Sequence, residues 1–216
     1  MLSEPASALT DLLLGAVAVA LATRLTRRSD LTPHWARMFW WTAAAALAGA
    51  LHHGFVTQSD EWTDRSWLVV TFLVVIAISY LLAASVDEVL GPGHARAFWV
   101  LRSGSLVAYV VVAVILGASI GAILLCEGVT MLTVLALWAV GIRRGHPRAR
   151  AVAVAIFASM GAAVIRGLPS DLVDPTGLDP TGLYHLAQIP GLVLLYRAAA
   201  NTGGGIRDLT SQPERT

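Results

Sequence analysis

Two adjacent histidines, His52 and His53, lie near the end of one long apolar stretch, and His185 lies at the start of the last one. Each stretch is long enough to cross a bilayer, so we expect these imidazoles inside a membrane. Ionisable side chains at such depth usually face the interior of a helix bundle or a water-filled cavity, and they mark functional sites. Imidazoles from two helices, joined by a carboxylate, can bind zinc and activate a bound water molecule as a nucleophile.

Further polar side chains are expected at the same depth, just beneath the outer face. Glu127 lies about two turns into the fifth apolar stretch, where a lipid-facing carboxylate would be costly. It is the expected carboxylate ligand beside His53 and His185, and a catalytic candidate. The other polar residues expected in this layer, as supports of the site, are Gln188, Asp11, His52, Arg166 and Tyr184.

Each of these residues also has a structural interpretation. His52 and His53 are about 100° apart on a helix, so at most one of them can point straight into the core. Asp11 and Asp64 can be solvated caps near the interface, and the Arg166 side chain can extend outward to water. Glu127 can form a buried ion pair that only fixes helix packing.

The composition indicates an integral membrane protein. Only 13% of the 216 residues are charged and 56% are hydrophobic, whereas soluble domains have about 25% charged residues. The single cysteine, Cys126, excludes an internal disulfide and a cysteine-based zinc site. A net charge of +1 gives no reason to expect a nucleic-acid partner. All 15 basic residues are arginine, and without a lysine amine the chain cannot hold retinal as a Schiff base.

Seven apolar stretches predict an all-α bundle of seven transmembrane helices. We expect residues 1–200 to form this domain and residues 201–216 to be a disordered cytoplasmic tail. Gly49, Gly128 and Gly161 are small residues that permit close contact between helices. The expected spans are residues 8–25, 35–57, 67–89, 95–117, 119–142, 149–167 and 183–200.

The arginines predict how the bundle is oriented. Thirteen of the 15 fall on one side of the seven spans, and only Arg65 and Arg166 fall on the other. Because cytoplasmic loops are enriched in arginine, the N-terminus is expected outside and the C-terminus in the cytoplasm. The Ala- and Arg-rich, lysine-free composition suggests a bacterial source, hence a multi-pass protein of the cytoplasmic (inner) membrane with membrane lipid as its partner.

The last outer loop contains a tandem repeat. Asp174-Pro-Thr-Gly-Leu is followed at once by Asp179-Pro-Thr-Gly-Leu. Proline and glycine at this density predict turns and not a helix.

The seven spans, the outside N-terminus, His53 late in the second span and His185 opening the seventh resemble the ceramidase and adiponectin-receptor (CREST) superfamily. That resemblance implies a metal-dependent hydrolase of lipid amides or a relative of one. It also implies that Asp64, near the third span, orients the attacking water. Two positions depart from the pattern: Gly49 stands where the superfamily has a serine, and Ile189 stands where it has another histidine.

A few motifs look closer to an uncharacterised bacterial family of seven-span proteins. They are Thr10-Asp11, His53-Gly54-Phe55, Tyr184-His185 with Gln188, and Leu195-Tyr196-Arg197.

Three functions follow as hypotheses. The first is a zinc-dependent hydrolase of lipid amide or ester bonds, with a lipid-like substrate, metal ligands His53, His185 and Glu127, and Asp64 beside the water. The second is a non-catalytic membrane protein that binds or transports a ligand, proton or ion in the same pocket. The third is a structural subunit with a buried hydrogen-bond network. No feature of the sequence specifies an oligomeric state.

Overall fold

The computed structural model describes residues 2–58, 60–116 and 120–201. These residues form seven long helices and no strand, so the expected all-α class is confirmed. A one-turn helix, α7 (Ser170–Val173), precedes the last long helix. The long helices are α1 (Pro5–Thr26), α2 (Pro33–Phe55), α3 (Asp60–Leu90), α4 (Ala95–Leu116), α5 (Ile120–Arg143), α6 (Ala149–Arg166) and α8 (Pro180–Ala200).

Each long helix contains one of the predicted apolar stretches, or nearly all of it. The largest difference is α3, which begins at Asp60 and not near residue 67, and has 31 residues. Five helices in the described part of the chain are long and apolar enough to cross a membrane, namely α1, α3, α4, α5 and α6. Helices α2 and α8 have 23 and 21 residues but carry the site histidines and other polar residues, which make them less apolar.

Six of the long helices form a closed ring. Each packs against its neighbours in the order α1, α2, α3, α5, α6, α8 and back to α1. Helix α4 lies outside this ring and packs against α3 and α5. Val114 on α4 is 80% exposed, as expected for a helix that faces lipid.

Polar contacts close one end of the ring. The buried Trp35 indole donates a hydrogen bond to Glu88 (2.7 Å), and Arg148 forms an ion pair with the same carboxylate (2.6 Å). Arg148 also donates to the Asn201 carbonyl at the end of α8 (2.8 Å). Nearby, the fully buried Trp138 donates to Ser85 (2.9 Å). These contacts join α2, α3, α5, α6 and α8 at the end opposite to the histidines.

The repeat between α6 and α8 differs from its prediction. Its first copy forms a short 3₁₀ turn, Asp174–Thr176, but α8 begins inside the second copy at Pro180. The Asp179 side chain accepts a hydrogen bond from the Gly182 amide, and proline is well suited to the first helical position. The expectation of turns alone was therefore wrong for the second copy, because Asp-Pro is also a signal for the start of a helix.

The predicted close helix contacts hold at only one of three glycines. Gly49 lies against Asp11, whereas a methyl group added at Gly128 or Gly161 would meet nothing within 4 Å. The tightest contact besides Gly49 is Gly191 against Ser159, between α8 and α6. The predicted turn at residues 117–119 and the predicted tail beyond Asn201 lie outside the described residues.

Candidate functional site

A cavity of about 180 Å³ lies at the centre of the six-helix ring. All six ring helices contribute to its wall, and α4 does not. Most of the wall is apolar and runs toward the middle of the bundle, including Leu14, Met38, Ile78, Met131, Ile156, Leu192 and Leu195. Leu124 on α5 lines the cavity and is 40% exposed.

The polar part of the wall lies at one end. It combines the first turns of α1, α5 and α8 with the last turns of α2 and α6, which neighbour one another because the helices alternate in direction. Seven of the nine site residues predicted from the sequence line this cavity: Asp11, His53, Glu127, Arg166, Tyr184, His185 and Gln188.

The Asp11 carboxylate lies between two imidazoles. Its Oδ1 is 3.3 Å from His185 Nδ1, and its Oδ2 is 4.0 Å from His53 Nε2. The two rings have centroids 6.1 Å apart. All three side chains are buried, with Asp11 only 4% exposed. The structure therefore brings together the histidines of α2 and α8 and adds a carboxylate from α1 between them.

Gly49 makes this arrangement possible. A Cβ atom at position 49 would overlap Asp11 Oδ2 and crowd the rest of the carboxylate. The space beside Gly49 is thus filled by a side chain from another helix. A carboxylate at position 11 and a side chain at position 49 compete for the same space.

Glu4 extends the polar contacts to the outer surface. The backbone amides of Ser3 and Glu4 donate to the last carbonyls of α2, those of Gly54 and His53 (3.1 and 3.0 Å). The Glu4 carboxylate, which is 44% exposed, then lies 2.5 Å from His53 Nδ1. Carboxylates and imidazoles therefore alternate from the surface into the cavity, in the order Glu4, His53, Asp11 and His185.

The sequence prediction did not include Glu4 or Asp179. Ser7 of α1 donates to both oxygens of Asp179 (3.0 and 2.8 Å), and Thr10 lies 3.4 Å from His185 Nδ1. These contacts hold the start of α8 against α1. A usable signal was the helical spacing of Glu4, Ser7 and Asp11, which puts all three on one face of α1.

Arg166 and its neighbours form the other side of the polar end. The Arg166 guanidinium donates to the Thr181 hydroxyl and lies 5.9 Å from the centroid of the Tyr184 ring. Gln188 donates to the Tyr184 hydroxyl (2.5 Å). In the described part of the chain, neither Arg166 nor Glu127 forms an ion pair.

Two predicted residues lie elsewhere. His52 is buried, but its Nδ1 lies 2.7 Å from the Ser66 hydroxyl and its ring packs against Trp67, so it joins α2 to α3. Asp64 is exposed on α3 and is not part of the cavity wall. A water molecule in the cavity is therefore beyond the reach of Asp64 in this structure.

The predicted zinc ligands do not form a complete set. His53, His185 and Glu127 share the cavity wall. Within residues 2–58, 60–116 and 120–201, however, no three His, Cys, Asp or Glu side chains are placed so that they could hold a metal ion. The described residues, as they are arranged, therefore do not fit a zinc ion.

One protein family matches the chain. Its model, described as a family of unknown function (DUF6962), covers residues 6–203 and so includes every long helix of the ring. No curated protein and no solved structure matches.

The contact between Gly49 and Asp11 gives a testable prediction. G49A should lower the free energy of unfolding by about 1–3 kcal/mol, because the methyl group forces the carboxylate or the helices to move. G161A is the control: it adds a methyl group in open space, and we expect no loss and a gain of up to about 1 kcal/mol. Denaturant unfolding in detergent micelles measures both.

The double variant G49A/D11A separates a local overlap from general damage. Removing the carboxylate opens the space for the methyl group, so G49A should cost about 1 kcal/mol less in the D11A background than in the natural chain. Equal costs in both backgrounds, or equal effects of G49A and G161A, would contradict this account of position 49.

Proposed function

The chain belongs to DUF6962, a family of unknown function, and we propose that it binds a lipid-like molecule in its central cavity. The observation that carries this proposal is the division of the cavity wall into a long apolar part and a polar end with unpaired charges. The ligand would place an acyl chain along the apolar part and its head group at the polar end.

The apolar part is long enough for an acyl chain, but a cavity of about 180 Å³ holds only the carbons next to the head group, so the rest of the chain would extend into the surrounding lipid. The wall follows α8 from Thr181 to Leu195, a span of roughly 21 Å at the rise of an α-helix. The exposed edge at Leu124 gives a chain a route from the surrounding lipid. Because lipid tails are as apolar as the wall, burial of the tail contributes little selectivity, which must come from the head group.

The polar end supports a head group that carries both an anionic and a cationic group. Arg166 offers several guanidinium donors and forms no ion pair within the described chain, so it can bind a phosphate or carboxylate. Glu127 is likewise without a cationic partner there and can accept hydrogen bonds from an ammonium group. Asp11 is less available, because His53 and His185 already face its oxygens.

It would cost free energy to keep Arg166 and Glu127 in an apolar bundle without a charged partner. A polar group without a partner in a low-dielectric interior costs several kcal/mol, which water or a polar ligand must offset. A zwitterionic head group between Arg166 and Glu127 would neutralise both charges at once. We therefore propose a zwitterionic single-chain lipid, or one chain of a larger lipid, as the ligand.

Binding of two lysophospholipids tests this proposal. Lysophosphatidylethanolamine should bind more tightly than lysophosphatidylglycerol, which lacks the ammonium group. R166Q should weaken binding of both by roughly 10- to 100-fold, the loss expected for hydrogen bonds to a charged group. E127Q should remove only the preference for ethanolamine. Native mass spectrometry of the detergent-solubilised protein measures each affinity.

R65Q is the matched control for charge. Arg65 lies at the same end of the bundle, is exposed, and stacks on Trp62 outside the cavity. The R65Q variant should bind both lysophospholipids as tightly as the natural chain does. The proposal fails if R166Q and R65Q bind alike, or if E127Q keeps the preference.

Metal-dependent hydrolysis of a lipid amide or ester is the second candidate. The observation that favours it is that His53, His185 and Glu127 line one cavity, with the two imidazole centroids 6.1 Å apart, although the three side chains would have to move closer together to hold the ion. If this function applies, the purified protein should contain about one zinc per chain, and H53A should lose it while H52A keeps it. Metal analysis without detectable zinc, or equal zinc in both variants, would remove this candidate.

We also propose that all seven long helices cross a bacterial inner membrane, with the N-terminus outside. The less apolar α2 and α8 lie in the ring between helices that are long and apolar enough to span. The arginine distribution then places the α1–α2 turn in the cytoplasm and the polar end of the cavity near the outer face.

Cysteine labelling tests the orientation. In a C126S background, an impermeant maleimide should label T176C in intact cells, and S29C only after the cells are permeabilised. Both positions are exposed in the structure. Labelling of S29C in intact cells would reverse the proposed orientation.

A further inference from the structure

The α1–α2 turn contains a second hollow, which shares no residue with the central cavity. Its volume is about 360 Å³. The residues that matter for its chemistry are Arg28, Arg37, Thr32, Trp40 and Leu31. The hollow lies at the end of the bundle opposite to the histidines.

The turn carries an excess of positive charge. Arg24, Arg27, Arg28 and Arg37 lie within 14 residues that contain one carboxylate, Asp30. Arg28 donates two hydrogen bonds to Asp30, each 2.8 Å long, and these lower the pKa of that carboxyl group to about 2. Asp30 thus stays ionised and offsets the charge of Arg28, so the other three arginines have no further carboxylate within residues 24–37.

Arg37 is the cation best placed for a ligand. It is exposed, its guanidinium lies 6.0 Å from the Tyr80 ring centroid, and it forms no ion pair within the described chain. The neighbouring Thr32 hydroxyl also lacks a hydrogen-bond partner among the described residues. A guanidinium and a hydroxyl of this kind suit a phosphate oxygen.

The hollow also has an amphipathic side. The Trp40 ring is 43% exposed, while its indole N–H donates to the Thr26 hydroxyl (3.0 Å). Tryptophan with one apolar and one polar edge is typical of the membrane–water interface. A phosphate near Arg37 would therefore have an apolar surface beside it for the start of an acyl chain.

We propose that this hollow binds the phosphate group of an anionic phospholipid from the leaflet next to the α1–α2 turn. Arg37 binds the phosphate and Trp40 packs against the glycerol and the adjoining acyl carbons. The inference does not depend on the ligand of the central cavity, since the two sites have no residue in common.

Lipid binding to the full chain tests the inference. In an R166Q background, which weakens the proposed head-group contact in the central cavity, native mass spectrometry should show that phosphatidylglycerol binds several-fold more tightly than phosphatidylcholine. R37Q should weaken phosphatidylglycerol binding about fivefold, the factor expected for one arginine near an anionic surface. R96Q is the matched control, because Arg96 is an exposed arginine at the same end of the bundle but outside the hollow.

Further variants and a competing anion test which residues bind the lipid, and whether the ligand is a lipid or a free phosphate. W40A should weaken phosphatidylglycerol binding as R37Q does, and both variants should keep this effect in an R166Q background, in which binding to the central cavity is already weakened. Equal binding of the two lipids, or equal effects of R37Q and R96Q, would overturn the proposal. Competition by millimolar inorganic phosphate as strong as that by the lipid would also overturn it, since the ligand would then be a free anion.

Discussion

The Asp11 carboxylate is the interaction on which the rest of this structure depends. A carboxylate buried among apolar helices is tolerated only with partners, and Asp11 faces one imidazole from α2 and one from α8. Those contacts fix the rotation of three helices about their own axes. They decide which face of each helix lines the cavity and which face meets lipid. Gly49 permits them because its missing side chain leaves room for the carboxylate.

A ring with a central cavity follows from this constraint. Helices that carry a polar residue for the site stay in the ring, together with α3, which packs against both α2 and α5. Helix α4 contributes no residue to the cavity wall and lies outside, with Val107 and Val114 exposed. The contacts of Glu88 with Trp35 and Arg148 close the opposite end. The cavity is therefore polar at the histidine end and apolar toward the middle of the bundle.

The helices and the depth of the polar residues were predictable, because apolar length and helical rise are local properties of the sequence. Which of His52 and His53 lines the cavity was not predictable, because it depends on how α2 is rotated against α1 and α3. Asp64 was expected in the same polar layer from its position before the third span, and the resemblance gave it a role at the water, but its side chain is exposed and does not line the cavity. Glu4 and Asp179 lie outside the apolar stretches, so hydropathy gave no reason to expect them next to buried side chains. Gly128 and Gly161 show that a small residue indicates close packing only if its face of the helix is known.

Two positions near the site histidines limit what the polar end can bind. At Gly49 the missing side chain leaves room for the Asp11 carboxylate, which lies between His53 and His185. Gln188 donates its amide to the Tyr184 hydroxyl and so adds a neutral hydrogen bond and not a further metal ligand. Within the described residues Asp11 thus faces the histidines, whereas Arg166 and Glu127 form no ion pair. For this reason we propose a charged head group, and not a metal ion, as the occupant of the polar end.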